Sequence, residues 1–190
     1  MTVEKLLGAL EVAGKLKDVT RHSWTAKGRR ESTAEHTFRL AVFAYFIKDE
    51  FPEADIDKLI RMCLIHDLGE AFTGDIPSFN KTASDEEKEK DILAGWVSSL
   101  PEPFSSEMRE LYAEMIARET LEAKLFKALD NLEAVITHNE APLSTWIEKE
   151  YTLNLTYGED KAAFSPYLTE LRKLVREMTE KKIADGEQNN

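Results

Sequence analysis

The stretch Leu59-Ile60-Arg61-Met62-Cys63-Leu64-Ile65-His66-Asp67-Leu68-Gly69-Glu70 decides how this chain is read. Its apolar run ends on an imidazole beside a carboxylate, and a second carboxylate, Glu70, follows three residues on. Burying a histidine and an aspartate side by side at a helix end is costly unless something pairs with both, and a divalent cation does so. A metal site is therefore expected here, with its remaining ligands elsewhere in the chain.

Outward from that stretch, apolar residues recur at helical intervals and no segment sustains the alternation of a strand. Val3, Leu6, Leu7, Leu10, Ala13 and Leu16 predict a first helix over about residues 3–18, followed by a loop. Ser32 and Glu35 have the spacing of a capping box, which starts a second helix near Thr33 that runs to about Asp49, with His36 on the face of Leu40 and Phe43. The third helix covers about 56–68, and Gly69 and Gly74 then break the chain. A second box, Ser84 with Glu87, opens a helix to about Leu100, which Pro101 and Pro103 close. Met108, Leu111, Tyr112, Met115 and Ile116 mark the next. Thr120 caps a long helix through about His138, with Leu125, Leu129, Leu132 and Ile136 as its packing stripe and Asp130 on the neighbouring face. Ser165-Pro166 opens a last helix carrying Leu168, Leu171, Leu174, Val175 and Met178, and the polar tail 185–190 is expected to fray. Without repeats or linkers, the economical architecture is an all-α, single-domain helical bundle over residues 1–184.

The chain has 190 residues, 42% hydrophobic and 32% charged, enough for one globular core. Its apolar runs fall far short of the ~20 residues that span a bilayer, so no membrane partner is expected. A net charge of −11 argues against polymeric nucleic acid, whose phosphates are bound by basic stripes. The N-terminus shows no basic segment leading into an apolar one, and the single cysteine, Cys63, suits a reducing compartment, so a cytoplasmic location is expected. One segment departs from the acidic balance: Arg21, Lys27, Arg29 and Arg30 occur with no acidic residue among them, either to draw in a small anion or as a solvated basic loop.

The chain has four histidines, His22, His36, His66 and His138. His36 on the second helix, His66 and Asp67 at the end of the third, and Asp130 on the long helix could converge. Two imidazoles and two carboxylates suit one borderline divalent ion, Mn, Fe, Co, Ni or Zn, with positions left for water. Singly, each has an ordinary reading: a histidine on an apolar face is commonly a hydrogen-bonded core residue, and Asp130 could pair with Lys127. His138 lies eight residues beyond Asp130, about two turns along the helix, too far to share its ion. Glu133 and Cys63 read as structural.

The blocks Ser32-Thr33-Ala34-Glu35-His36-Thr37, Leu64-Ile65-His66-Asp67-Leu68-Gly69-Glu70, Thr73-Gly74-Asp75-Ile76-Pro77 and Lys127-Ala128-Leu129-Asp130-Asn131-Leu132-Glu133 resemble the HD-domain metal-dependent phosphohydrolases, and within them the 5′-deoxynucleotidase branch. The resemblance runs from about Arg21 to Asp130. It implies an HD-fold helical bundle, His36, His66, Asp67 and Asp130 as metal ligands, Glu70 and Asp75 as catalytic carboxylates, and Arg21 as a substrate-phosphate contact. Those roles are chemically sensible. Glu70, one turn from Asp67, is placed to orient or deprotonate a water, Asp75 could protonate a leaving oxygen, and the planar fork of Arg21 matches phosphate oxygens. Some members of the branch carry an aromatic directly after the arginine, where it helps to exclude a ribose 2′-hydroxyl. This chain has His22 there and its tryptophan at Trp24, so weaker sugar discrimination is expected, with Trp24 either stacking on substrate or plugging the core. Phe79 and Lys81 read as loop residues that could line the same cleft.

The expected function is metal-dependent removal of the 5′-phosphate from ribo- or deoxyribonucleoside monophosphates, with a small-molecule nucleotide as partner and a homodimer left open. The alternatives are another HD phosphohydrolase, acting on nucleoside triphosphates, cyclic nucleotides or guanosine polyphosphates, and a nucleotide-binding module without turnover. Glu70 and Asp75 disfavour the last, because a binding module needs no acid–base pair.

Overall fold

The computed structural model of the chain describes residues 1–77 and 79–188. In chain order its elements are α1 (Val3–Lys15), β1 (Thr20–Trp24), β2 (Arg30–Ser32), α2 (Thr33–Phe46), α3 (Ile56–Ile65), α4 (Glu70–Thr73), α5 (Ala83–Ser99), α6 (Phe104–Ala117), α7 (Leu121–Glu140), α8 (Glu150–Thr156), α9 (Glu159–Ala162) and α10 (Pro166–Gln188). The architecture is helical, as the periodicity predicts. Leu125, Leu129 and Leu132, spaced three or four residues apart, are wholly buried on α7. They meet Leu40 of α2, Leu59 and Met62 of α3 and Leu168 of α10 in one cluster, with α7 as its axis. Truncating any of these leucines to alanine should cost about 2–5 kcal/mol, because the close-packed surroundings collapse only partly.

The expected caps hold for most helices. Ser32 and Glu35 form the predicted capping box of α2, and Thr120 caps α7. The box that opens α5 is Thr82 with Asp85, two residues before the predicted Ser84 with Glu87. Both pairs have the required spacing, and of the two leading residues Thr82 has the extended backbone of a cap, φ −94° and ψ 161°.

Three regions differ from the sequence reading. The loop after α1 is an antiparallel hairpin of β1 and β2, pairing Thr20 with Ser32 and Trp24 with Arg30, with a register irregularity between. Strands this short give no period-two signal. Gly28 makes its turn at φ 77°, a region that glycine enters without steric cost. The predicted stripe of the first helix is largely outside: Val3, Leu6, Leu7 and Leu10 are exposed, while Leu16 at its end is buried together with Val12, which lies off the stripe. Finally, α10 stays helical through Gln188, beyond the predicted start of the frayed tail; residues 189 and 190 lie outside the described residues. Among the described residues no helix is long and apolar enough to cross a membrane.

Candidate metal centre

The capping box fixes His36 one turn into α2, where it is wholly buried. Its Nδ1 lies 2.5 Å from Glu133 Oε2 on α7, and a hydrogen bond to a carboxylate requires the proton on that nitrogen. In the neutral ring Nε2 is then a bare acceptor, yet it faces Asp130 Oδ1 at 3.3 Å and Asp67 Oδ2 at 3.8 Å. His66, at the end of α3, repeats the arrangement. Its Nδ1 is 2.8 Å from the Cys63 carbonyl oxygen, and its Nε2 is 2.9 Å from Asp67 Oδ2 and 4.0 Å from Asp130 Oδ1.

Both Nε2 atoms are buried and lack a hydrogen-bond partner. Lone pairs of imidazole and carboxylate facing one another at these distances repel unless a positive charge sits between them. A proton can serve: against burial and the Arg21 charge, Asp130 and Glu133 raise His36 to about 10. A divalent cation serves better, since it satisfies both rings and both carboxylates together, and atoms of His36, His66 and Asp67 already lie within mutual ligand reach. The residues therefore fit a divalent cation. Asp130 Oδ2 accepts from Lys127 Nζ at 2.8 Å, as one of its two readings expects, while Oδ1 faces His36.

A second buried group of potential ligands, Glu31, His36 and Glu133, is already filled by a cation of the chain's own. Arg21 Nη1 is 3.0 Å from Glu31 Oε2 and 3.5 Å from Glu133 Oε2. Glu133 also accepts from Thr137 Oγ1 at 2.8 Å, which fits its structural reading and adds a specific task, holding the His36 ring.

The centre opens into a cavity of about 300 Å³ that Asp67, Asp130, Glu70, Asp75, Arg21 and Lys81 line. Glu70 is buried at the start of α4 and accepts from Thr33 Oγ1 at 2.8 Å. Burial first, then the charges of Asp67 and Asp75, push its carboxyl up to about 9. Asp75 follows Gly74, whose φ of 77° turns the chain out of α4 and toward the cavity.

The structure thus brings Arg21, His22, Asp67, Glu70, Asp75 and Asp130 to one cavity, with His36 and His66 packed behind its carboxylates. Phe79 and Lys81 line it as well. Trp24 is not on its wall; the Arg30 guanidinium stacks over the indole, 4.4 Å from the ring centroid. Arg29 pairs with Glu35, and of the four cations in the basic segment Arg21 is the one that lines the cavity. His138 makes no ion pair with the four candidate ligands, but it lines the cavity with Glu150, which sequence reasoning missed. Glu150 follows an irregular segment and belongs to no motif, so nothing in the sequence marks it.

Comparison with known proteins places the chain in a family. The HD domain family matches residues 13–172. The human 5′-deoxynucleotidase HDDC2 is 33% identical over 139 residues, covering 71% of this chain and 67% of that protein. The Dictyostelium discoideum protein of the same name is 30% identical over 136 residues, 66% of this chain and 72% of that one. The crystal structure of a predicted metal-dependent phosphohydrolase from Magnetospirillum magnetotacticum superposes with a TM-score of 0.78 at 26% identity, covering 95% of this chain and 93% of that one. Matched in sequence over most of its length and in fold over nearly all of it, the chain belongs to the HD-domain family of metal-dependent phosphohydrolases.

Proposed function

We propose that this chain removes the 5′-phosphate from nucleoside monophosphates, with His36, His66, Asp67 and Asp130 holding one divalent transition metal. The observation that carries the reading is the pair of buried, unpartnered Nε2 atoms facing two carboxylates at the wall of a cavity that also offers Glu70, Asp75 and Arg21. The names of the relatives, 5′-deoxynucleotidases, supply the substrate class. When bound, the cation lowers the pKa of water toward neutrality and polarises a phosphoryl oxygen. Mn, Fe, Co, Ni and Zn all suit imidazole with carboxylate.

The chain's own groups account for the rest. Arg21 is anchored by Glu31 and keeps a delocalised positive charge on the cavity wall, matched to phosphate oxygens. Hydrolysis forms a bond from a water oxygen to phosphorus and breaks the bond to the 5′-oxygen, so one proton must leave the water and one must reach the leaving oxygen. Glu70 and Asp75 are the carboxyl groups available for these transfers. The raised value of Glu70 comes partly from repulsion by Asp67, and neutralising Asp67 would bring it back toward the range in which it can accept a proton.

Release of inorganic phosphate from a panel of nucleoside mono-, tri- and cyclic phosphates, each with Mn, Co, Ni or Zn, tests the proposal. Phosphate from monophosphates, lost on chelation and restored by added metal, is the expected result. Turnover confined to triphosphates or cyclic nucleotides would replace this substrate class, and tight nucleotide binding without any turnover would favour a binding module.

A further inference from the structure

A second polar group lines the same cavity. Glu150, the first residue of α8, is 1% exposed, and its Oε2 accepts from the Ile147 backbone N–H at 2.8 Å. Its Oε1 lies 3.0 Å from His22 Nε2 of β1 and 3.3 Å from His138 Nε2 of α7. These are close approaches without aligned hydrogen bonds, since Glu150 Oε1 and His22 Nε2 are both buried with no hydrogen-bond partner. One turn along α8, Asn154 Nδ2 is also buried and unpartnered, and Asn154 lines the cavity. The rings are held by their neighbours: Phe79 meets His22 edge-on at 5.4 Å, and Trp146 meets His138 edge-on at 6.2 Å.

A buried acceptor and two buried polar nitrogens without partners are costly to leave unfilled, so the arrangement calls for a ligand atom that completes it. An anion is disfavoured by the Glu150 carboxylate. A cation is disfavoured by the Asn154 amide nitrogen, which can only donate, and by the positive field of Arg21 on His138. A hydroxyl meets every demand, because it donates to Glu150 Oε1 while accepting from an imidazole or amide N–H. We propose that His22, Glu150 and His138 form a subsite that binds a sugar hydroxyl of the nucleotide. The identification of that hydroxyl as a sugar's rests on the nucleotide reading above. Either the 2′- or the 3′-hydroxyl supplies the required chemistry.

The test compares kcat/KM of the metal-loaded protein for adenosine 5′-monophosphate and its 2′-deoxy, 3′-deoxy and 2′,3′-dideoxy analogues. A site built around a hydroxyl rejects substrates that lack it, so the dideoxy compound should fall about 10²-fold or more, and the single-deoxy analogue that falls with it identifies the hydroxyl bound. Glu150→Gln should lower kcat/KM on the hydroxyl-bearing substrate and compress the ratio to within about tenfold, with His138→Gln as a second variant should the first fail to fold. Adenosine and 2′,3′-dideoxyadenosine are titrated calorimetrically in parallel. If no nucleotide releases phosphate, the proposed reaction fails, and weaker binding of the dideoxynucleoside still upholds the subsite. Equal use, or equal binding, of hydroxyl-bearing and dideoxy compounds by the parent protein overturns it.

Discussion

His36 and His66 face two carboxylates, Asp67 and Asp130, with Glu70 and Asp75 on the same cavity, whereas His22 and His138 share the single carboxylate of Glu150. The residue types are nearly the same and the charge balance is not. Two neutral imidazoles beside two carboxylates leave a negative excess that a dication would remove, and the acceptors behind the rings, Glu133 and the Cys63 carbonyl, leave both Nε2 lone pairs facing the carboxylates. Two imidazoles around one carboxylate, next to an amide donor, leave a site suited to a neutral hydrogen-bonding group. What suits a cluster of histidines and acids to a metal is its surplus of charge and its oriented lone pairs, more than its composition.

The largest effect should come from removing that surplus. Asp67→Asn is expected to lose the cation and at least about 10³-fold in turnover, because a 2+ ion held by one remaining carboxylate loses both charge and geometry. Glu150→Gln should keep a full equivalent of metal. Metal analysis of the two purified variants checks the contrast, and a Glu150→Gln protein that also emerges metal-free would merge the two clusters into one site.

Next in size is the split between holding the cation and moving protons. Glu70→Gln and Asp75→Asn should each retain metal and nucleotide binding while turnover drops by about 10²–10⁴-fold, the usual scale for an acid–base residue. Near-parental turnover in both would move the chemistry to other groups on the cavity.

The candidate metal cluster was legible because its parts sit in short motifs at helix positions that periodicity locates. His36 lies one turn after a capping box, His66 and Asp67 close an apolar run, and Asp130 lies beside the buried stripe of α7. The second cluster was not legible. It joins a hairpin strand too short to show alternation, a helix residue dismissed because eight residues separate it from Asp130, and a glutamate beyond the irregular chain that follows α7. Two helical turns between His138 and Asp130 bear on sharing an ion and say nothing against lining one cavity. The α1 stripe shows the converse limit: periodicity marks an apolar face, and it does not say what, if anything, that face packs against.

A smaller expected effect concerns the groups behind the proposed ligands. Glu133→Gln keeps the volume of a wholly buried side chain but weakens the bond that aims His36 Nε2 at the centre. Cation affinity should fall about 10–100-fold, while kcat at saturating metal stays within a few-fold. Competition with a chromophoric chelator measures the first quantity and steady-state kinetics the second. Unchanged affinity would show that packing on α2 alone orients the ring.

The smallest effect separates that orientation from the stability of the helix carrying it. Glu35 accepts from Ser32 N at 2.9 Å and pairs with Arg29, and these contacts, the Arg29 bond first, hold its carboxyl at about 2 against an ordinary 4.5. A depressed folded-state value stabilises the fold above the unfolded pKa and loses that contribution as pH falls through the folded one. The side chain is 42% exposed, so solvent screening confines the ion-pair part, and loss of the charged cap in Glu35→Gln should cost about 0.5–1 kcal/mol at pH 7. The stability difference between parent and variant should be complete above about pH 4.5 and shrink as pH falls toward 2. Urea unfolding at several pH values measures it for as long as the parent remains folded. Cation affinity should change less than in Glu133→Gln. If Glu35→Gln instead strips the metal, the first turn of α2, and not the Glu133 carboxylate, is what sets His36 in place.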